Sequence, residues 1–320
     1  MKIALVGKGG SGKTTLSALL ARYLAEAGAP VLAIDADINQ HLAEALGLPA
    51  DEAARLPTLA DHLAELKEYL RGDNPRIASA AAMIKTTPPG RGSRLLTVTG
   101  DNPVYRSVVR AVGPVRLALA GQLAASDLGV ACYHSKVGAV ELLLNHLVDG
   151  PGEYAVVDMT AGADAFASGL FTRFDQTFVV CEPTLRSVGV YRQYAGHAAG
   201  HGVRLAAVGN KVSDAQDAAF LREQLGAALV GTVGRSDYVR AAERGRVGPL
   251  AALEPANLAL LGELVARVGS AERDPVEYAR RAAEFHLRNA HAWGNDRVGA
   301  DLAGQIDPDF ALPYPEPAHR

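Results

Sequence analysis

Apolar residues fall into two alternating patterns along the chain: short unbroken runs, and longer stretches with an apolar residue every three or four positions. The runs at residues 2–6, 31–34, 154–157, 177–180 and 205–208 are rich in Val, Ile, Leu and Ala, as strands buried on both faces require. Between the first two, residues 13–27 place Leu16, Leu19, Leu20, Tyr23 and Leu24 on one helical face. Residues 43–81 also read as helical, with Leu63, Leu66 and Leu70 in register, and 137–147 and 274–292 give two further helices. Residues 115–120 predict another strand. The alternation predicts an α/β fold, a doubly wound and mostly parallel sheet flanked by helices.

Two breaks interrupt the pattern. "KTTPPGRGSR" at 85–94 predicts a surface loop, and "DPDFALPYPEPAHR" at the end, with four prolines, predicts an extended tail. The periodicity changes near Gly269, so the expected organisation is a main domain over 1–269 and a C-terminal helix with a Pro-rich tail over 270–320.

Composition narrows the function classes. With 320 residues, 48% apolar and 21% charged, the chain can bury a large core. A formal net charge of −3 supplies no global attraction to nucleic acid or anionic lipid. The N-terminal run meets glycines without a cleavage-site pattern, and no window approaches ~18 uninterrupted apolar residues, so neither a signal peptide nor a membrane span is expected. Two cysteines, Cys132 and Cys181, cannot make a disulfide framework, and the expected location is the cytoplasm.

The strongest chemical signal is "GKGGSGKT" at residues 7–14, which fits G-x-x-x-x-G-K-[ST] between a predicted strand and a predicted helix. Gly9, Gly10, Ser11 and Gly12 would wrap backbone N–H groups around phosphate oxygens, with the helix dipole beneath. Lys13 would bridge the β- and γ-phosphates, Thr14 would ligate Mg2+ and Thr15 would reach the α-phosphate. The expected cofactors are therefore ATP and Mg2+.

Lys8 has no duty in an ordinary phosphate loop. "KGGSGKT" resembles the deviant Walker A ATPases, the family of MinD, ParA and the nitrogenase iron protein, at every defined position. That resemblance implies a homodimer in which Lys8 crosses to the partner's nucleotide, and hydrolysis that is slow and dependent on dimerisation. "VLAIDAD" at 31–37 resembles the family's first switch, which makes Asp37 the residue that positions the attacking water and Asp35 a supporting carboxylate; the plainer alternative is that both cap the following segment. "YAVVDMTAG" at 154–162 resembles the Walker B strand and second switch, with Asp158 reaching Mg2+ through water and Gly162 near the γ-phosphate. "VGNK" at 208–211 resembles the adenine-reading segment and points to Asn210, whose alternative is an end-of-strand turn.

Peripheral features separate the branches. The tail lacks the basic and apolar faces of a membrane-binding helix, and the segment after Walker B has no cysteine for an iron–sulfur cluster. "VRLALAG", "VVDMTAG" and "VVCEPTLRSVGVYR" resemble the CooC nickel-insertion accessory ATPases, whose Cys-x-Cys pair binds metal across the dimer. Here the pair is Cys132 and His134. Two such pairs would form a Cys₂His₂ set suited to Zn2+ or Ni2+, unless Cys132 is only an interface or core thiol. Cys181, at a strand end, is expected in the core. His41 follows the first switch, and His197 and His201 share helical spacing without an assigned role. The implied function is an ATP-hydrolysing switch serving a client protein in metalloenzyme maturation. The alternatives are ParA-like DNA or cargo positioning, through Arg235, Arg240, Arg244 and Arg246 and a second patch at Arg280, Arg281 and Arg288, and a nucleotide-gated interaction protein without metal.

Overall fold

The computed structural model describes residues 1–121, 133–161, 166 and 169–314. The chain begins with β1 (Lys2–Gly7), α1 (Lys13–Glu26) and β2 (Val31–Ala36), followed by α2 (Leu42–Ala45), α3 (Ala50–Ala53) and α4 (Leu63–Arg71). Next come β3 (Leu96–Thr97), α5 (Pro103–Val108), β4 (Arg110–Val112), β5 (Val115–Leu119), α6 (Tyr133–Asn145), β6 (Leu147–Val148) and β7 (Tyr154–Met159). The second half contains β8 (Gln176–Cys181), α7 (Leu185–Ala198), β9 (Leu205–Val212), α8 (Ala215–Leu225), β10 (Leu229–Gly234), α9 (Asp237–Ala242), α10 (Pro255–Gly269), α11 (Pro275–Asn289) and α12 (Asn295–Val298).

Eight strands form one sheet in the order β10-β9-β8-β1-β7-β2-β5-β4, parallel except for β4 against β5. Helices cover both faces. On one, the predicted α1 stripe buries Leu16, Leu19, Leu20 and Leu24 in a core shared with Leu261 and Leu264 of α10. On the other, Leu66 and Leu70 of α4, Val140 and Leu143 of α6, and Val188 of α7 form the second core. This two-sided cover explains why β1, β2 and β8 are buried along their whole length and read as unbroken apolar runs.

Two expectations change. Residues 43–81 are not one helical stretch: Gly47, with φ +108, and Pro49 separate α2 from α3, and irregular chain precedes α4. The 85–94 segment is not a surface loop at its start, because Thr86 and Thr87 are buried. Thr86 Oγ1 lies 3.3 Å from His286 Nδ1 on α11, and Thr87 Oγ1 donates to Gln305 Oε1 at 2.9 Å. The described chain after α12, residues 299–314, packs against the body: Leu302 and Leu312 are buried, and Asp307 accepts two hydrogen bonds from the Arg91 guanidinium at 2.9 and 3.2 Å.

Candidate active site

The sheet brings the ends of its seven parallel strands to one edge, and the phosphate loop lies at its centre because β1 sits between β8 and β7. Gly10 and Gly12 have φ +79 and +91, the left-handed region that glycine adopts without steric cost. At Gly12 a second constraint applies. A Cβ there would fall 2.1 Å from Asn210 Nδ2. Gly12 caps α1 without a side-chain acceptor, so the first-turn N–H groups remain free to meet an anion.

Register places the acidic residues. Asp35 on β2 pairs with Asp158 on β7, so two carboxylates stand side by side at the same level. Asp158 Oδ2 accepts from Thr14 Oγ1 at 2.6 Å and Oδ1 from Ser17 Oγ at 3.1 Å. Asp35 accepts from the backbone N–H groups of Asp37, at 3.1 Å, and Leu42, at 2.8 Å. The second of these bonds ties Asp35 to the first residue of α2. Asp37 is ion-paired with Lys13, and both are buried.

Three buried carboxylates thus converge here: Lys13 is ion-paired with Asp37 and attracts Asp158, while Asp35 is held by backbone N–H groups. Burial, reinforced by Asp158, raises the Asp35 pKa well above the ordinary value. Burial likewise pushes Asp158 up to about 6, against the opposing pull of Lys13 and the Thr14 hydroxyl. Buried negative charge in excess of its counter-ions fits a divalent cation held by Thr14 Oγ1 and the neighbouring Asp158 carboxylate. Among the described residues, no cluster of three or more His, Cys, Asp or Glu side chains is arranged to hold a metal by itself.

A cavity of about 870 Å³ opens from this corner, lined by Gly9, Gly10, Lys13, Thr14 and Thr15 at the loop end. It runs along α1 past Arg22, with the segment from His41 to Ala50 on one side and Tyr238, Val239 and Val247 on the other. Arg22 Nη2 donates to the Gly248 carbonyl at 2.9 Å and ties α1 to the α9 wall. Asn210 does not line the cavity. Its Nδ2 donates to the Ser11 carbonyl at 2.7 Å, behind the loop. Lys8 stands apart from Asp37, with Nζ 3.9 Å from Glu182 Oε2.

Gly162 and Cys132 lie outside the described residues; His134 falls in the first turn of α6, and its side chain is likewise outside them. Cys181 is a core thiol, pushed up to about 12 by burial. His197 and His201 pack on aromatic rings, His197 against Phe166 and His201 against Phe171. Sequence reasoning missed Ser17, Glu182 and Lys211, all of which contact the loop or its acidic partner. The available signals were a charged residue directly after the apolar run "TFVVC" and a lysine beside Asn210.

A phosphate loop between the central strand and its helix, a buried lysine at its end and an acidic cluster on the adjacent strands define a P-loop nucleotide-binding protein. The CobQ/CobB/MinD/ParA nucleotide binding domain matches residues 3–280, and the chain belongs to that family. It is 29% identical over 246 residues to the carbon monoxide dehydrogenase accessory protein CooC of Rhodospirillum rubrum, covering 76% of this chain and 87% of that protein. It is also 29% identical over 238 residues to an uncharacterized ATP-binding protein of Methanocaldococcus jannaschii, covering 73% and 84%. Solved structures support the fold. A ParA family ATPase from Chlorobium tepidum superposes with a TM-score of 0.57 at 15% identity, covering 82% of this chain and 97% of that one. MinD complexed with Mg-ADP from Pyrococcus horikoshii gives 0.54 at 16% identity, covering 85% and 99%. No helix among the described residues is long and apolar enough to cross a membrane.

Proposed function

We propose that this chain is an Mg2+-dependent ATPase that works as a dimeric switch, with Lys8 supplied to the partner's nucleotide. The observation that carries the reading is the assembly of Lys13, Thr14, Asp37 and Asp158 at the end of one phosphate loop. Backbone N–H groups of Gly9 to Gly12 and the start of α1 hold the phosphates, and Lys13 transfers its ammonium from Asp37 to them. That exchange frees the Asp37 carboxylate to orient a water in line with the terminal phosphoryl group; positioning and charge neutralisation are what this chemistry needs. Thr14 and Asp158 would hold Mg2+, which would supply further charge neutralisation. Asp35 stays on the Leu42 N–H and holds the first switch in place. Asn210 is assigned to the adenine amino group on the sequence match alone; in this structure its Nδ2 donates to the Ser11 carbonyl. Gly162 is assigned to the γ-phosphate on the sequence match alone.

ATPase rate measured against protein concentration tests this reading. Turnover per protomer should rise with concentration in the wild type and fall about 10²-fold in Lys8→Ala, the scale set by removing one transition-state charge stabiliser. Turnover that is independent of concentration and unchanged by the substitution would sink it.

For output, we propose maturation of a client metalloenzyme, supported by the likeness to CooC over most of both chains. In this reading Cys132 and His134 from two protomers hold Zn2+ or Ni2+. One metal per Mg-ATP dimer, lost in Cys132→Ala and in His134→Ala, is the expected result. DNA positioning has less support, because Arg280 and Arg288 are ion-paired with Glu277 and Glu284, and Arg240 has Asp237 at 3.8 Å.

A further inference from the structure

Three strand ends place charges of both signs beside the phosphate loop. Lys8 follows β1, Glu182 follows β8, and Lys211 lies near the end of β9. Glu182 Oε1 accepts from Lys211 Nζ at 2.9 Å, while Oε2 lies 3.9 Å from Lys8 Nζ. Lys211 Nζ also donates to the Gly10 carbonyl at 2.5 Å, so one ammonium bridges Glu182 and the loop backbone. Its φ of +58 is uncommon for a side chain with a Cβ, and the two contacts on Nζ help hold it there. The Glu182 backbone is fixed as well: its N–H donates to Ser187 Oγ at 2.9 Å and its carbonyl accepts from Thr184 N at 2.7 Å.

We propose that Glu182 is a positioning residue that competes with the partner's nucleotide for Lys8. The proposal rests on the reading above that Lys8 acts across the dimer. Its physical content is the asymmetry of the two pairs. Lys211 is anchored at both ends and keeps the carboxylate paired whether or not Lys8 is present. Lys8 is 42% exposed and 3.9 Å away, a looser pair of the kind that biases an equilibrium by no more than about fivefold. A bias of that size retains Lys8 on its own protomer and yields to the several charges of a triphosphate. The dimer then forms only where a nucleotide outbids Glu182, which sets the protein concentration at which the switch closes.

The test uses the full chain as wild type, Glu182→Gln, Lys8→Ala and the double variant. Acylation of Lys8 by an amine-reactive ester, followed by mass spectrometry without nucleotide, should be about two- to fivefold faster in Glu182→Gln, because the carboxylate no longer holds the side chain against its own protomer. The midpoint of Mg-ATP-dependent dimerisation, measured by sedimentation, should fall by a similar factor. In the Lys8→Ala background, Glu182→Gln should leave dimerisation where Lys8→Ala alone puts it. Unchanged Lys8 acylation, an unchanged midpoint despite faster acylation, or an effect that persists without Lys8 would each overturn the proposal. A wild type that stays monomeric in Mg-ATP would instead bring down the dimer reading itself, and with it this one.

Discussion

The two ends of the central strand β1 both meet buried charge, and they treat it in opposite ways. At the start, Lys2 is fully buried, with Nζ 3.8 Å from Asp149 Oδ1 and donating to Tyr314 Oη at 2.8 Å, over the Tyr278 and Tyr314 rings. Arg273 pairs with both Asp149 and Asp175, and the Met1 ammonium pairs with Asp149, so each carboxylate has cation partners among Lys2, Arg273 and the N-terminal ammonium. Burial alone would lower the Lys2 pKa, but the tyrosines and Asp149 raise it above the usual range. Burial pushes Asp149 up, but Lys2, the Met1 ammonium and Arg273 outweigh it and leave its pKa below normal. At the far end of the strand Lys13 is ion-paired with Asp37, and the neighbouring carboxylates Asp35 and Asp158 are both raised. The balanced end clamps the C-terminal segment to the sheet. The unbalanced end stores a demand for positive charge that a cation can meet.

Breaking the balanced end should have the largest effect. Lys2→Ala leaves Asp149 buried with one cation fewer, at a cost of about 3–5 kcal/mol in urea unfolding, while the nucleotide affinity of the folded fraction stays unchanged. An affinity loss matching the stability loss would show that the two ends are not separate.

The unbalanced end should respond with the opposite sign. Asp158→Asn removes a buried charge, so the nucleotide-free protein should gain about 2 kcal/mol at pH 8, while Mg-ATP should no longer raise its melting temperature. The pH dependence follows from linkage. Asp158 is raised in the fold, from 3.8 to about 6, so the folded chain holds a proton that the unfolded chain has lost. Its favourable contribution is fully present below about pH 4 and is lost as pH rises through about 6. The difference between wild type and Asp158→Asn should therefore be small at pH 4 and widen up to pH 7. Asp149, depressed in the fold, runs the other way: its contribution is present above the ordinary carboxylate range and is lost as pH falls below it. A constant difference across this range would contradict the assignment of the raised pKa to Asp158.

The smallest effect concerns the brace behind the loop. Asn210→Ala removes the donor on the Ser11 carbonyl and should cost about 1 kcal/mol of stability. If Asn210 also reads the base, the loss of affinity should be larger for ATP than for inorganic triphosphate, a contrast that calorimetry would measure.

Much of the nucleotide end was legible because its signals are local. Gly7 to Thr14 lie in one turn between a strand and a helix, and Asp35, Asp37 and Asp158 close or follow apolar runs, so their positions follow from strand ends alone. The balanced end was not legible. Lys2, Asp149, Asp175, Arg273 and Tyr314 carry no shared motif, and their contacts span up to 312 positions. Burial of Thr86 and Thr87 escaped for the same reason, since a Pro/Gly-rich segment reads as surface until a distant helix and tail are laid over it.

The sequence by itself determined the phosphate loop, the parallel α/β order and the identity of the acidic residues, because glycine conformation and apolar periodicity act over a few residues. Only the tertiary structure decided how the charges are shared. It set Asp35 beside Asp158, gave Lys13 to Asp37, and brought Glu182 between Lys8 and Lys211. Those pairings depend on which strands are neighbours in the sheet, and Coulomb energies follow distance and burial, not position along the chain.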